Sequence, residues 1–168
     1  MLRAGRDSDA AGFIALISTC WAEYPGCVFD LDGEVPELRA LASYFAAQDG
    51  ALWVAEEAGA VVGMVAVHPL PGTPDWEICR MYVAADQRGT GVAAALLGAA
   101  EAHARDAGAE VIRLWSDTRF TRAHTFYAKL GYVRQGPIRV LSDLSNSLEF
   151  PFFKPARGVA VHRLDASA

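Results

Sequence analysis

The chain has few cysteines, no cluster of basic residues and no long apolar run, and each shortage removes a class of protein. Cys20, Cys27 and Cys79 form neither a C-x-x-C pair nor a regular framework. An odd number would leave one thiol unpaired in an oxidising compartment, so a reducing cytoplasm is the expected setting. Lys and Arg number 15 against 20 Asp and Glu, a net charge of -5, and they are scattered along the chain. Phosphate backbones are gripped by clustered cations, so no nucleic acid is expected as a partner, and the acidic balance suits a cationic one. No stretch is apolar over the length of a bilayer crossing, and Met1 to Asp9 lacks the apolar core of a leader, so no membrane association is expected. His103 and His124 stand at no ligand spacing from another His or Cys, which argues against a metal.

What is present is enough hydrophobic material, 52% of 168 residues, to bury one core without disulfides. One domain over residues 1–155 is expected, with 156–168 as a weakly ordered tail. Phe13, Leu16, Ile17, Cys20 and Trp21 recur at helical spacing behind Asp7-Ser8-Asp9, whose short side chains can cap the first turn. Pro36 opens a second helix with Leu38, Leu41, Ala42 and Phe45 inward. Leu52–Glu56, a turn at Ala58-Gly59 and Val61–His68 read as an antiparallel hairpin. A strand over Trp76–Val83 follows the loop Pro69–Pro74. Then come a helix over Val92–Ala107 stopped by Gly108, a strand over Val111–Trp115, and a short helix over Arg122–Leu130 stopped by Gly131. Tyr132-Val133 and Leu148–Phe153 supply closing strands. The order is that of an α/β (α+β) domain with a mixed central sheet and helices packed on its faces.

The strongest chemical signal is the strand-to-helix join Met81-Tyr82-Val83-Ala84-Ala85-Asp86-Gln87-Arg88-Gly89-Thr90-Gly91-Val92-Ala93. The first N–H groups of a helix have no intrahelical partner and the macrodipole is positive there, so a pyrophosphate is favoured at that end. Gly89 and Gly91 lack a Cβ that would block the approach, Arg88 can bind phosphate in bidentate fashion, and Ala93 keeps the next turn small. Two nearby glycines more often form only a tight turn. Gly89-Thr90-Gly91-Val92-Ala93-Ala94 also fits the G-x-G-x-x-A dinucleotide fingerprint in form. That fingerprint needs the turn directly after a strand of a parallel unit, whereas here five residues intervene after Val83 and the earlier strands read as antiparallel. A dinucleotide-binding oxidoreductase is therefore the lesser alternative, and no Gly-Lys-Ser/Thr follows to make a nucleoside triphosphate loop.

At these positions the sequence resembles the GNAT superfamily of N-acetyltransferases, whose R-x-x-G-x-G/A turn after the fourth strand is matched by Arg88, Gly91 and Ala93. A second motif, A-x-x-x-Y-x-K-L-G-F/Y, is matched in order by Ala123-His124-Thr125-Phe126-Tyr127-Ala128-Lys129-Leu130-Gly131-Tyr132. The likeness covers residues 50 to 135, and it departs from the family at Phe120, where an Asn is common seven residues before Tyr127. The resemblance implies a mostly antiparallel sheet with helices on both faces, acetyl-CoA as co-substrate, and a habit of dimerising that makes a homodimer an expectation. It implies that Arg88, Gly89, Thr90, Gly91, Val92 and Ala93 hold the pyrophosphate and that the backbone of Met81, Tyr82 and Val83 holds the pantetheine.

Acetyl transfer to an amine requires a neutral amine, a site for the developing oxyanion and a proton for the thiolate. An alkyl amine of pKa near ~10.4 is almost wholly protonated at pH 7, so a base is useful. Strand alternation places Glu77, Cys79, Met81 and Val83 on one face, and the resemblance implies that an acid near Glu77 draws the amine proton. A surface ion pair is the plainer role for Glu77. The resemblance puts the oxyanion at a main-chain N–H near Val83 and makes Tyr127 the proton donor, a phenol being protonated at pH 7. Tyr127 paired with Phe126 in a core is its plainer role. Glu23, Asp30, Asp32, Glu34 and Glu37 form a stretch without Lys or Arg that suggests a cationic acceptor, although such runs are commonly solvated loops. Cys79 reads as packing, since no motif supplies a His to activate it. The expected function is transfer of acetyl from acetyl-CoA to a small-molecule or protein amine by direct attack in a ternary complex. The alternative is a non-catalytic acetyl-CoA-binding sensor or interaction module.

Overall fold

The computed structural model describes residues 1–157, and among them eight strands form one sheet. The elements are β1 (Leu2–Ala4), α1 (Ala10–Ala22), α2 (Leu41–Ala46), β2 (Ala51–Glu57), β3 (Ala60–Pro69), β4 (Asp75–Val83), α3 (Val92–Asp106), β5 (Val111–Asp117), α4 (Thr121–Lys129), β6 (Val133–Arg134), β7 (Arg139–Val140) and β8 (Leu148–Pro155). Strand order is β1-β2-β3-β4-β5-β8-β6, with β7 also on β8. Only β4 and β5 run parallel, so the sheet is mixed and mostly antiparallel.

The two faces are covered by different helices because the apolar stripes differ. Phe13 and Ile17 of α1, Leu38 from the 3-10 turn Pro36–Ala40, and Leu41 of α2 are wholly buried against Val54 and Met64. Full burial of each such side chain stabilises by about 1.5–3 kcal/mol. On the opposite face Leu96, Leu97 and Ala100 of α3 and Tyr127 of α4 pack against Val65, Ile78 and Leu114. The side chains of Asp7 and Asp9 do not cap α1 as the sequence suggests. Asp9 is occupied by the Arg3 guanidinium and the Arg6 N–H, and Asp7 reaches across to Ser43 at the head of α2.

Gly108 and Gly131 end α3 and α4 in the left-handed region, at φ of 92° and 88°. After Gly131 the Tyr132 N–H returns to the Tyr127 carbonyl at 3.1 Å, closing a Schellman turn that swings Tyr132 into the core. The Tyr132 hydroxyl then donates to Glu101 of α3 at 2.9 Å, and Lys154 of β8 pairs with the same carboxylate at 2.7 Å. Of the tail expected from residue 156, Ala156 is buried and its N–H bonds the Glu110 carbonyl at 2.9 Å; residues 158–168 lie outside the described residues.

Two irregularities of β4 build the site. Cys79 pairs with Ala66 and Tyr82 with Met64, so Arg80 and Met81 both stand opposite Val65: a β-bulge, with Arg80 at φ 51°. β4 also pairs with β5 only from Asp75↔Val111 to Ile78↔Leu114, while both strands continue beyond. Past Ile78 the strands part.

Candidate functional site

The bulge corrects one expectation from alternation. The extra residue reverses the parity of β4, so Glu77 and Cys79 do not share a face with Met81 and Val83. Cys79 and Tyr82 pack with the α1 side, and Met81 and Val83 with the α3 side. No glycine marks the bulge, which is why a pattern reading misses it.

Two cavities open at the parting of β4 and β5. The first, of about 650 Å³, lies on the α1 side and is lined by Glu77, Cys79, Arg80, His68, Glu34 and Trp115 among others. The second, of about 500 Å³, runs between the end of α1, the Arg88-Gly89 turn and α4. Met81, Val83, Arg88, Gly89, Ala93 and Phe126 line it. Trp21, Tyr82 and Phe120 line both.

The second cavity fits an extended anion with an apolar arm. The first bond of α3 runs from the Ala95 N–H to the Gly91 carbonyl at 3.0 Å, which leaves the amides of Val92, Ala93 and Ala94 directed out of the helix start. Gly91 caps that helix at φ 94° and Gly89 lies at φ 81°, both without a side-chain cap or any atom where a Cβ would stand. Thr90 turns its hydroxyl back to the Gln87 carbonyl at 2.7 Å and so stiffens the loop. Arg88 grips Glu23 at the end of α1 with both terminal nitrogens, at 2.7 and 2.5 Å, and Arg122 stands 3.9 Å from the same carboxylate. With Lys129, these arginines make the mouth of the cavity cationic. Along its floor the polar groups of β4 that face β5 beyond Ile78 have no strand partner in β5. On its other edge β4 remains tied, the Ala84 N–H bonding the Val62 carbonyl at 2.9 Å and Cys20 Sγ donating to Val83.

In the first cavity burial raises the Glu77 carboxyl above the usual carboxylate range, with His68 and Arg139 pulling it partly back. His68 Nε2 lies 4.0 Å from Glu77 Oε1, while Nδ1 sits 3.0 Å from the Pro69 carbonyl. That contact fits a proton on Nδ1 and turns Nε2 toward the carboxylate. The pairing His68↔Glu77 across β3 and β4 makes this contact, and counting back across the loop from Pro69 would have found it. The Cys79 thiol is pushed up to about 12, by burial and then by Glu77, so it stays protonated and is a poor nucleophile. Tyr127 lines neither cavity. It is 6% exposed, packed among Phe126, Tyr132 and Phe152, and burial holds its phenol well above its ordinary pKa.

The acidic segment is largely spoken for. Glu23 pairs with Arg88, Asp32 with Arg39 and Glu37 with Arg80; Asp30 accepts the amides of Asp32 and Gly33, and Glu34 accepts the Leu144 N–H at 2.6 Å. Phe120 packs against Tyr24 with ring centroids 4.6 Å apart and planes tilted by 48°, so the position where the family often has an amide is an aromatic wall here. Sequence reasoning missed His68, Arg80, Arg122 and the side chain of Tyr82. Among the described residues no helix is long and apolar enough to cross a membrane, and no three His, Cys, Asp or Glu side chains gather as a metal site.

A turn that offers bare amides beside a parted parallel pair in a mostly antiparallel sheet is the frame of one fold class, and comparison with known proteins agrees. The chain belongs to the acetyltransferase (GNAT) family, whose model matches residues 13–132. It is 33% identical over 98 residues to N-acetyltransferase 8 of Mus musculus, covering 56% of this chain and 43% of that protein. The chain thus spans about half the length of the curated relatives it matches. Its fold is that of a GNAT-family acetyltransferase from Staphylococcus aureus Mu50, with a TM-score of 0.80 at 16% identity over 94% of this chain and 99% of the other. An aminoglycoside 6'-N-acetyltransferase solved with coenzyme A shares the fold at a TM-score of 0.69 and 16% identity, over 94% and 97% of the two chains.

Proposed function

We propose that this protein transfers an acetyl group from acetyl-CoA to a primary amine by direct attack in a ternary complex. The observation that carries the reading is the parting of β4 from β5 beside the open amides of the Arg88–Ala93 turn, with one cavity on each side. The coenzyme, which supplies the activated acetyl group, takes the cavity on the α4 side. There Arg88, Gly89, Thr90, Gly91, Val92 and Ala93 hold its pyrophosphate. The strand groups of Met81, Tyr82 and Val83 hold its pantetheine. The amine enters the other cavity, where Glu77, raised by burial and flanked by His68, takes its proton directly or through water. A main-chain N–H near Val83 faces the carbonyl oxygen as negative charge develops there. Tyr127, kept neutral by burial, returns a proton to the thiolate, and solvent restores both groups. The free thiols of Cys20, Cys27 and Cys79 support a reducing, cytosolic setting. The acceptor is a small-molecule or protein amine, and the assembly is a homodimer.

Thiol release from acetyl-CoA across a panel of amines tests the reading, with initial-rate patterns that intersect for a ternary complex. Acetyl-CoA without acceptor should leave the mass of the protein unchanged. Tight acetyl-CoA binding with no thiol release for any amine would establish the sensor reading instead, and stabilisation by NAD(P) in place of acetyl-CoA would overturn both.

A further inference from the structure

The residues common to the two cavities are three aromatics from three different elements: Trp21 on α1, Tyr82 on β4 and Phe120 at the head of α4. They form the wall across which an acetyl group travels if the reading above holds, on which this inference rests. Trp21 and Phe120 present no acceptor and no second donor to that wall, because the single Trp21 N–H is already spent on Tyr82, at 3.0 Å from its hydroxyl oxygen. A phenol that accepts from a fixed indole has its own O–H turned away from that donor. Arg80, displaced toward the first cavity by the bulge, adds positive charge near the same oxygen, and burial otherwise keeps the phenol neutral. Tyr82 also acts on Tyr127, whose ionisation it opposes from the other face of the sheet. Tyr82 therefore holds one oriented proton at the meeting point of the cavities, whereas Tyr127 packs against Phe126, which lines only the second cavity.

We infer that the Tyr82 hydroxyl, oriented by Trp21, is a side-chain donor to the acetyl carbonyl oxygen, working beside the main-chain N–H near Val83. As the amine nitrogen bonds to the carbonyl carbon, the carbonyl pair moves to oxygen and is met by this O–H. As the carbon–sulfur bond breaks, that pair returns and sulfur leaves with the bonding electrons. Tyr82 keeps its proton throughout; the proton lost by the amine goes to Glu77, and the thiolate takes its proton from Tyr127.

The test uses the full chain with Tyr82→Phe, Trp21→Phe and the double variant. Loss of one such donor lowers turnover by about 10²–10³-fold in enzymes that use it. Tyr82→Phe should therefore cut kcat on that scale with the acetyl-CoA dissociation constant changed less than twofold. Trp21→Phe should cost about tenfold, and the double variant should be no slower than Tyr82→Phe alone, since the indole acts only through the phenol. A second readout needs no turnover: the infrared carbonyl stretch of bound acetyl-CoA labelled with ¹³C at the acetyl carbonyl. It should lie lower in the wild type than in Tyr82→Phe. A kcat within threefold of wild type for Tyr82→Phe, losses that multiply in the double variant, or an identical carbonyl stretch in both proteins overturns the inference. A wild type that shows the Tyr82-dependent shift but releases no thiol with any amine supports the inference and removes the transferase reading.

Discussion

Replacing Glu23 by Gln should weaken the fold and tighten the coenzyme, opposite signs from one change. Glu23 ends α1 and occupies both terminal nitrogens of Arg88, the cation expected to meet the pyrophosphate. The carboxylate thus stands in the free protein where a phosphate oxygen would compete for the guanidinium. The side chains are 26% and 31% exposed, so water and salt screen much of their attraction. Part-exposed pairs contribute about 0.2–1 kcal/mol, and the bidentate geometry places this one near the upper end. Coenzyme binding must give up that pair, so removing its charge should gain up to ~1 kcal/mol, about a fivefold fall in dissociation constant. Arg122, 3.9 Å from the same carboxylate, would be released as well. Calorimetric titration of coenzyme A into wild type and Glu23→Gln measures the gain, and thermal melts measure the loss. Arg88 holds the Glu23 carboxyl below its ordinary range, so the stabilisation is present above the usual carboxylate pKa and fades as pH falls through the folded value. The two proteins should accordingly converge in stability in acid. Unchanged or weaker binding by Glu23→Gln would refute the argument and make Glu23 a brace that aims Arg88.

Tyr127→Phe should lower kcat while leaving coenzyme affinity intact, and equal turnover would remove Tyr127 from the mechanism. Glu77→Gln should lower kcat and abolish the acidic limb of its pH profile. The raised Glu77 carboxyl stabilises the fold below its unfolded pKa and loses that contribution as pH rises through the folded value, so melts at pH 8 should find the variant at least as stable as wild type. Gly91→Ala meets no atom at its Cβ but must hold φ 94°, which costs on the order of 1–2 kcal/mol of stability. It should also impair coenzyme titration, and normal binding would refute the cradle.

The hairpin of β2 and β3, the length of α3 and the stops at Gly108 and Gly131 are legible because their signals are local: alternation, 3.6-residue recurrence and a glycine at a left-handed end. The match of Ala123 to Tyr132 is legible for a reason the structure supplies, since Gly131 turns the chain and Tyr132 locks it to Glu101. The parity of β4 is not local. It depends on Val65 facing two residues and on Arg80, not a glycine, adopting positive φ. The Arg88–Glu23 pair and the wall of Trp21, Tyr82 and Phe120 join residues far apart in the chain, where no spacing rule applies. Edge strands β1 and β7 are too short to leave a pattern.

The ladder between β4 and β5 has only four rungs, Asp75 to Ile78 against Val111 to Leu114. Strands β1 to β4 form one leaf and β5 to β8 the other, hinged along that short seam. A molecule seated in the gap would act as a splint between the leaves, so occupancy should slow amide exchange well beyond the residues it touches, as far as β8.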